Sequence, residues 1–459
     1  MDTPAIVWFR RDLRLIDNPA WAIAESRGPV TALFVIDPAL FDRAGDFRVA
    51  QLCAHLAALD DALVARGGRL RVEAGDPRAV VPAVAAEVGA DIVYANADAT
   101  PYSRRRDTAV HRALGGLDRG AALSTSWGTM VHHPGAVLTR AGKLSLVFTP
   151  FSKVWNTTAW AEWAEGDGPT DLAGEPGIGL PTSTAGPAMD GGAEAALSRL
   201  DLWQSAVDLY PETRDIPAID GTSQLSTDLR FGTISPRRVA AEIGVATAGR
   251  AAFVRQLAWR DWYAHMLFER PDLIDHAMKP AFDRIDWSND PEALDRWQNG
   301  LTGYPLVDAG MRQLLTTGWM HNRVRMVVAS FLVKDLLIDW RLGERWFRHL
   351  LIDADVAQNV GNWQWAAGTG PDAAPYFRVF NPILQSKRFD PEGVYIRRFV
   401  PELADVPTRW IHAPWEAPPL ELAGAGVVIG DNYPPPIVQH AEARDTTLAA
   451  YAAATESAR

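Results

Sequence analysis

The residues with the most chemical potential in this chain lie between Asp353 and Trp365, in the run DADVAQNVGNWQW. On a helix Asp355, Asn359 and Trp363 fall at i, i+4 and i+8 and share one face, although Gly361 weakens such a helix by about 1 kcal/mol. An asparagine there can turn either a carbonyl or an amide N–H toward a ring nitrogen. A tryptophan one turn away could exchange an electron with a redox-active ring. Packing is still the ordinary role of a large indole, and Trp287, Trp340 and Trp363 each read that way when taken alone.

The preceding run, WMHNRVRMVVASFLVKDLLIDW, reads as one helix from Trp319 to Trp340. It places His321 and Arg325 on one face, Asn322 and Met326 on the neighbouring stripe, and Val324, Val328 and Phe331 toward a core. Arg325 could pair with Asp353, since a buried arginine needs such a partner; read blandly, the segment is an amphipathic helix with solvated arginines. Upstream, Thr222, Ser223 and Ser226 in TSQLS stand at an expected helix start, where free N–H groups suit a pyrophosphate. That segment alone is better explained as a plain N-cap after an Asp220-Gly221 turn.

A chain of 459 residues has room for two or three domains with real cores. The opening MDTPAIVWFRRDLR has no apolar stretch of signal-peptide or membrane-span length, so a cytoplasmic enzyme without membrane contact is expected. Cys53 is the single cysteine, which excludes an internal disulfide and any multi-cysteine metal centre, and no metal site is expected. The net charge of −11 argues against indiscriminate coating of nucleic acid. Arg237, Arg238, Arg323, Arg325, Lys387, Arg388, Arg397 and Arg398 could still form a local basic groove.

Up to about residue 126, the short β-rich runs 5–9, 30–36, 69–73 and 91–95 read as buried strands separated by helical stretches such as 48–66 and 77–89. This is the pattern of a Rossmann-like parallel sheet covered by helices. Arg10-Arg11-Asp12 follows the first strand where a GxGxxG fingerprint would stand, which disfavours an NAD-binding domain. The expected division is an α/β domain over 1–130, a long connector over 131–195 whose Gly/Pro-rich stretch begins near 161, and an all-α domain over 196–459. The last ends in proline-rich segments and a short helix near 440–455. No internal repeat is present.

Along nearly its whole length the chain resembles the photolyase/cryptochrome family, most closely the class I cyclobutane pyrimidine dimer photolyases. The motifs WFRRDLRLIDNPA (8–20), GKLSLVFTPFSKVW (142–155), WRDWY (259–263), GYPLVDAGMRQLLTTGWMHNRVRM (303–326), DADVAQNVGNWQW and PYFRVFNP (375–382) occur in the family's order. The resemblance implies an α/β antenna domain and a helical FAD domain. It further implies light-driven DNA repair, in which excited, reduced anionic FAD donates an electron to a flipped-out pyrimidine dimer and recovers it. The partner implied is ultraviolet-damaged DNA, and the protein is expected to be a monomer.

Carried over by position, Tyr210, Thr222, Ser223, Gln224, Leu225, Ser226, Phe253, Arg325, Asp353, Ala354, Asp355 and Asn359 would hold FAD, with Asn359 facing flavin N5. Trp363, Trp340 and Trp287 match the family's photoreducing tryptophans. Arg214, Gln256, Trp259, Arg260, Asn322, Arg323, Met326, Trp365, Arg378 and Gln385 match its DNA side. Trp259 and Trp365 would be stacking walls, and Arg214, Arg260, Arg323 and Arg378 would hold phosphates.

This chain departs from the family pattern at several positions. Gln256 stands where dimer photolyases usually carry a Glu, and an amide cannot supply a carboxyl proton. A Gln there is usual in 6-4 photolyases, but those carry a second histidine where this chain has Met326, which cannot do acid–base work. Gln224 stands in a run that more often reads Arg. Ser103, in TPYSRRRD, replaces the Glu of folate-binding members, so 8-hydroxy-5-deazaflavin is the expected antenna in preference to methenyltetrahydrofolate. The rival readings are a cryptochrome-type receptor, against which Asn359 argues, and a 6-4 photolyase.

Overall fold

A computed structural model describes residues 3–456 apart from Ala373, Ala374, Tyr376 and Phe377, so Tyr376 and Phe377 of the PYFRVFNP motif lie outside the described residues. The chain forms two compact units. The first comprises Met1–Asp208, Ser223–Pro271 and Ile352–Ala357; the second comprises Leu209–Thr222, Asp272–Leu351 and Gln358–Arg459. The three-part division at about residues 130 and 195 stays a proposal about folding domains.

In the first unit, β1 (Ala5–Phe9), β2 (Val30–Ile36), β3 (Leu70–Ala74), β4 (Ile92–Asn96) and β5 (Ala122–Ser126) form a parallel sheet in the order β3-β2-β1-β4-β5. The inner strands are unbroken apolar runs because both faces are covered. Ala5, Val7 and Phe9 pack with Leu56, Leu59 and Leu63 of α1 (Asp46–Val64). Ile6 and Trp8 pack with Val81 and Val84 of α2 (Pro77–Val88) and with Val110 and Leu114 of α3 (Pro101–Gly115). The starts of α2 and α3 follow capping chemistry. Asp76 and Thr100 accept from Arg78 N and Ser103 N, with Pro77 and Pro101 in the first turn.

Four strands fall within a residue of the sequence reading. The fifth, ALSTS, is a small and polar edge strand without an apolar run to reveal it. The connector is pinned along the sheet: Val30 N donates to Asp171 O, and Ile178 N donates to Val72 O. Strand order reverses between β1 and β4, so Arg10–Arg14 and Ala97–Thr100 flank the switch point at which such sheets take ligands. Further helices of the unit include α4 (Phe148–Trp155), α5 (Gly192–Gln204), α6 (Ser226–Phe231) and α7 (Ala248–Glu269). Gly232 closes α6 at φ 69°, where a Cβ would lie 2.0 Å from the Arg11 carbonyl; only glycine allows the two backbones so close.

The second unit is helical: α8 (Pro305–Thr317), α9 (Asn322–Ser330), α10 (Trp340–Leu350), most of α11 (Val356–Ala367), α12 (Pro382–Phe389), α13 (Val394–Phe399) and α14 (His440–Glu456). The single helix expected over 319–340 is corrected to a capped helix, a wide turn and the start of another helix. His321 is the N-cap of α9, its Nδ1 accepting from Arg323 N at 3.1 Å, so it does not share a helix face with Arg325. After Ser330 the chain widens into a π turn (Phe331–Asp335), and Leu337 takes φ 50°. Asp339 then caps α10 by accepting from Arg341 N at 2.9 Å, so Trp340 opens a new helix. Val324, Val328 and Phe331 are buried as the periodicity requires. The proline-rich end closes over α8, where Tyr433 donates to buried Asp308 at 2.8 Å. No helix among the described residues is long and apolar enough to cross a membrane.

Candidate functional site

In the first unit the switch-point loops carry a cluster of charges. Arg11 bonds Asp98 at 3.2 Å and also pairs with Asp355. Arg230, at the end of α6, donates from Nε to the Ala354 carbonyl at 2.5 Å. Burial alone would raise the Asp355 pKa, but Arg11, Arg260 and Arg230 outweigh it and hold the carboxyl below its ordinary range. The Arg230 guanidinium is pushed down to about 9, by burial first and by Arg11 second. Arg11, Arg230 and Arg260 therefore lie among Asp98, Asp261 and Asp355, a dense cluster of opposed buried charges.

The 222–226 loop differs from the plain N-cap reading. Leu225 precedes α6 with no side-chain cap, and Ser223 Oγ accepts from Leu225 N at 3.3 Å. Gln224 adopts φ 54°, a conformation that costs an L-residue roughly 1–2 kcal/mol and tends to mark functional loops. Leu225 is buried, and buried Phe253 packs against Trp203 at 5.5 Å.

In the second unit, Asn359 Nδ2 donates at 2.9 Å to both the backbone carbonyl and Oε1 of Glu344. Glu344 is 2% exposed and also binds Arg348 at 2.9 Å; burial, opposed by Arg348 and Asn359, raises its pKa. Two acceptors on one side fix the amide and leave its Oδ1 as the group Asn359 can offer elsewhere. Glu344 was missed from sequence because its link to Asn359 spans 15 residues and two helices.

Trp363 is 2% exposed and lies on α10 at Gly343, where a Cβ would be 2.2 Å from the indole Cη2. Its ring meets Phe347 at 5.0 Å and buried Trp297 at 6.1 Å. Trp340 is buried at the start of α10. The Trp287 loop is tied to the chain just before Trp340 by Ser288 N donating to Leu337 O at 2.8 Å. The three tryptophans therefore sit on adjoining elements. Asp355 stands at the head of α11, accepting from Ala357 N at 3.0 Å, rather than on the helical face shared by Asn359 and Trp363.

The residues expected on the DNA side divide into engaged and open groups. Arg260 donates to Thr129 O and Leu229 O, and Arg323 is held by Asp215 at 2.8 Å and stacked on Phe389 at 4.4 Å. Protein groups thus already engage part of each guanidinium. Arg378 and Asn322 are exposed; Arg214, Trp365, Met326 and Gln385 are half-buried. One face of Trp259 is covered by Phe148, stacked at 3.6 Å and 13°. Gln256 donates to Ala252 O at 3.0 Å within its own helix. Arg325 donates to Met320 O at 2.7 Å, and Asp353 is buried. Tyr210 lies under the Arg214 guanidinium at 5.6 Å, and burial raises its pKa. From the basic-groove candidates Arg237 is removed, since it is buried on Val131 O, Ala161 O and the Trp163 ring.

The chain combines a parallel α/β unit with an arginine-rich switch point and a helical unit with an anchored asparagine and buried tryptophans, features of a protein that can hold an anionic redox nucleotide. Family models agree. Residues 5–169 match DNA photolyase, and residues 253–453 match the FAD binding domain of DNA photolyase. The chain is 41% identical to a deoxyribodipyrimidine photo-lyase of Agrobacterium fabrum over 98% of each chain. It matches a crystal structure of a class III photolyase from Agrobacterium tumefaciens with a TM-score of 0.91 and 40% identity, covering 99% of this chain and 98% of that one. A Synechocystis cryptochrome structure follows at TM-score 0.88 and 31% identity, covering 98% and 99%. The chain belongs to the DNA photolyase family and carries its FAD-binding domain. The left-handed loop at Gln224 and the arginines gathered on Asp355 fit a flavin dinucleotide.

Proposed function

We propose that the protein is a light-driven lyase that splits cyclobutane pyrimidine dimers in ultraviolet-damaged DNA, working as a soluble cytoplasmic monomer. When bound, FAD supplies light absorption and the electron that opens the cyclobutane ring and is then recovered. The observation that carries the reading is Asn359, whose amide nitrogen is engaged by Glu344 so that its oxygen is available to a flavin N–H. Thr222, Ser223, Gln224 and Ser226 would hold the phosphates, Tyr210, Leu225 and Phe253 would line the nucleotide, and Arg325 with Asp353–Asp355 would flank the ring. Trp259 and Trp365 would offer stacking surfaces to a flipped base, and Arg214 and Arg378 contacts to phosphate. Trp287, Trp340 and Trp363 form the path that restores the reduced cofactor.

For the antenna we favour 8-hydroxy-5-deazaflavin over methenyltetrahydrofolate. Ser103 is buried and bonds Asp98 at 3.1 Å, so this position offers a hydroxyl where folate-binding members carry a carboxylate. The decisive experiment reduces the flavin anaerobically, adds ultraviolet-damaged oligo(dT) and follows 260 nm absorbance under blue light. A rise from restored thymines is expected. No rise in flavin-loaded protein would move the assignment to the 6-4 lesion, tested with that substrate, and then to signalling.

A further inference from the structure

Two residues other than glycine hold left-handed backbone on either side of one short contact: Asn289 at φ 47° and Leu337 at φ 50°. The contact is a clasp of two hydrogen bonds. Ser288 N donates to Leu337 O at 2.8 Å, and Asp339 N donates to Asn289 Oδ1 at 2.9 Å. One side of the clasp begins next to Trp287, and the other ends next to Trp340. Asparagine tolerates this conformation because its short amide bonds locally; leucine is rarely found in it.

Such strain persists where the surroundings over-determine it. Here the π turn delivers Leu336 N to Phe331 O at 3.0 Å and Ile338 N to Leu332 O at 3.1 Å. The Leu337 side chain packs with Trp287 on Phe282, Ile285 and Tyr451, and Tyr451 meets the Trp287 ring edge-on at 6.0 Å. A connection needed only to turn the chain would take glycine at both sites. This one keeps side chains at both, and both act on the Trp287–Trp340 spacing.

We infer that the Asn289–Leu337 clasp sets the separation of Trp287 from Trp340, and with it the rate of the outermost electron transfer in the tryptophan path. Asn289 and Leu337 are positioning residues, and the inference rests on the electron path proposed above. In the step concerned, oxidised Trp340 takes one electron from Trp287, and a thiol reductant in solution returns one to Trp287 and is itself oxidised. No bond between the rings forms or breaks. As electron transfer alone, the step leaves Trp287 as a radical cation until the thiol returns an electron, and its Nε1 meets no acceptor among the described residues. Electron transfer falls off exponentially with separation, so a loosened clasp acts on this step before any other.

The test is transient absorption of the tryptophan radical in FAD-loaded Asn289→Val, Asn289→Gly and Asn289→Asp, beside Trp287→Phe. Valine loses the acceptor and resists the left-handed backbone; glycine keeps the backbone but loses the acceptor; aspartate keeps both. The expected result is a several-fold slowing in the valine and glycine variants, from the exponential fall-off of electron transfer with separation. Aspartate should stay close to the wild-type rate. Flavin content, and repair after chemical reduction of the flavin, should match the wild type in the three Asn289 variants. A wild-type rate in Asn289→Gly overturns the clasp, even if the valine variant folds poorly. Unchanged photoreduction in Trp287→Phe overturns the electron path itself, and the clasp with it.

Discussion

Gln256 illustrates how one atom limits a reaction. Its Nε2 is bonded to the Ala252 carbonyl one turn back on α7, so reaching a flipped base requires leaving a bond of 3.0 Å. An amide can then donate a hydrogen bond but offers no acidic proton to a dimer carbonyl that gains negative charge. Gln256→Glu is therefore expected to raise the repair yield of cyclobutane dimers several-fold, read as thymine recovered per photon absorbed by reduced enzyme. A lower yield would mean that Gln256 is matched to a different lesion. Trp363 gives the complementary case, because its role lies in recovering the cofactor rather than in repair. Trp363→Phe should block light-driven reduction of oxidised flavin while sparing repair by chemically reduced enzyme, and equal loss of both would remove Trp363 from the path.

At the scale of elements, α10 and α11 meet through Gly343 and Trp363 without room for a methyl group. A Cβ on residue 343 would approach Leu332 Cδ2 to 2.5 Å as well as the indole. Gly343→Ala should destabilise by about 1–3 kcal/mol through overpacking. Adding Trp363→Phe, which removes the clashing atoms, should recover part of it, a non-additivity that urea unfolding of the four proteins would reveal. A second junction ties α14 to the π turn: Asp335 is buried against His440 at 2.5 Å, and burial, opposed by His440, pushes its carboxyl up to about 6. A raised carboxyl pKa means that the native state binds the proton more tightly, so stability falls as pH rises from about 4 to about 6. Asp335→Asn should melt higher than wild type at pH 7.5, and the difference should close by pH 4; a lower melting point at pH 7.5 would show that the charged pair stabilises α14. Neither junction was legible in sequence. Apolar runs announced β1, β2 and β4, and the Asn359–Trp363 spacing announced α11, because both are local patterns. Asn359–Glu344, Arg11–Asp355 and Asp335–His440 join residues far apart in sequence through side chains whose types are unremarkable. The break before Trp340 was hidden because a π turn and a left-handed leucine leave helical periodicity almost intact.

For the molecule as a whole, a chain of net charge −11 that binds a polyanion must do so through local clustering rather than overall attraction. The structure separates basic residues that can serve from those that cannot. Lys387, Arg388 and Arg398, at the ends of α12 and α13, are exposed, whereas Arg237 is enclosed by two backbone carbonyls and an indole. Each phosphate contact made on duplex DNA contributes about −0.9 to the slope of log K against log salt. Replacing Lys387, Arg388 and Arg398 with glutamine one at a time should reduce the magnitude of that slope by up to about 0.9 per residue that touches phosphate. Damaged and undamaged duplexes should weaken together, because a phosphate contact carries no information about the lesion. Arg237→Gln should leave the slope unchanged while lowering thermal stability, since it removes buried hydrogen bonds and no DNA contact. Fluorescence anisotropy with a labelled duplex across a salt series measures all four. If Arg237→Gln flattened the slope while the three exposed variants did not, the DNA would have to approach from another face of the molecule.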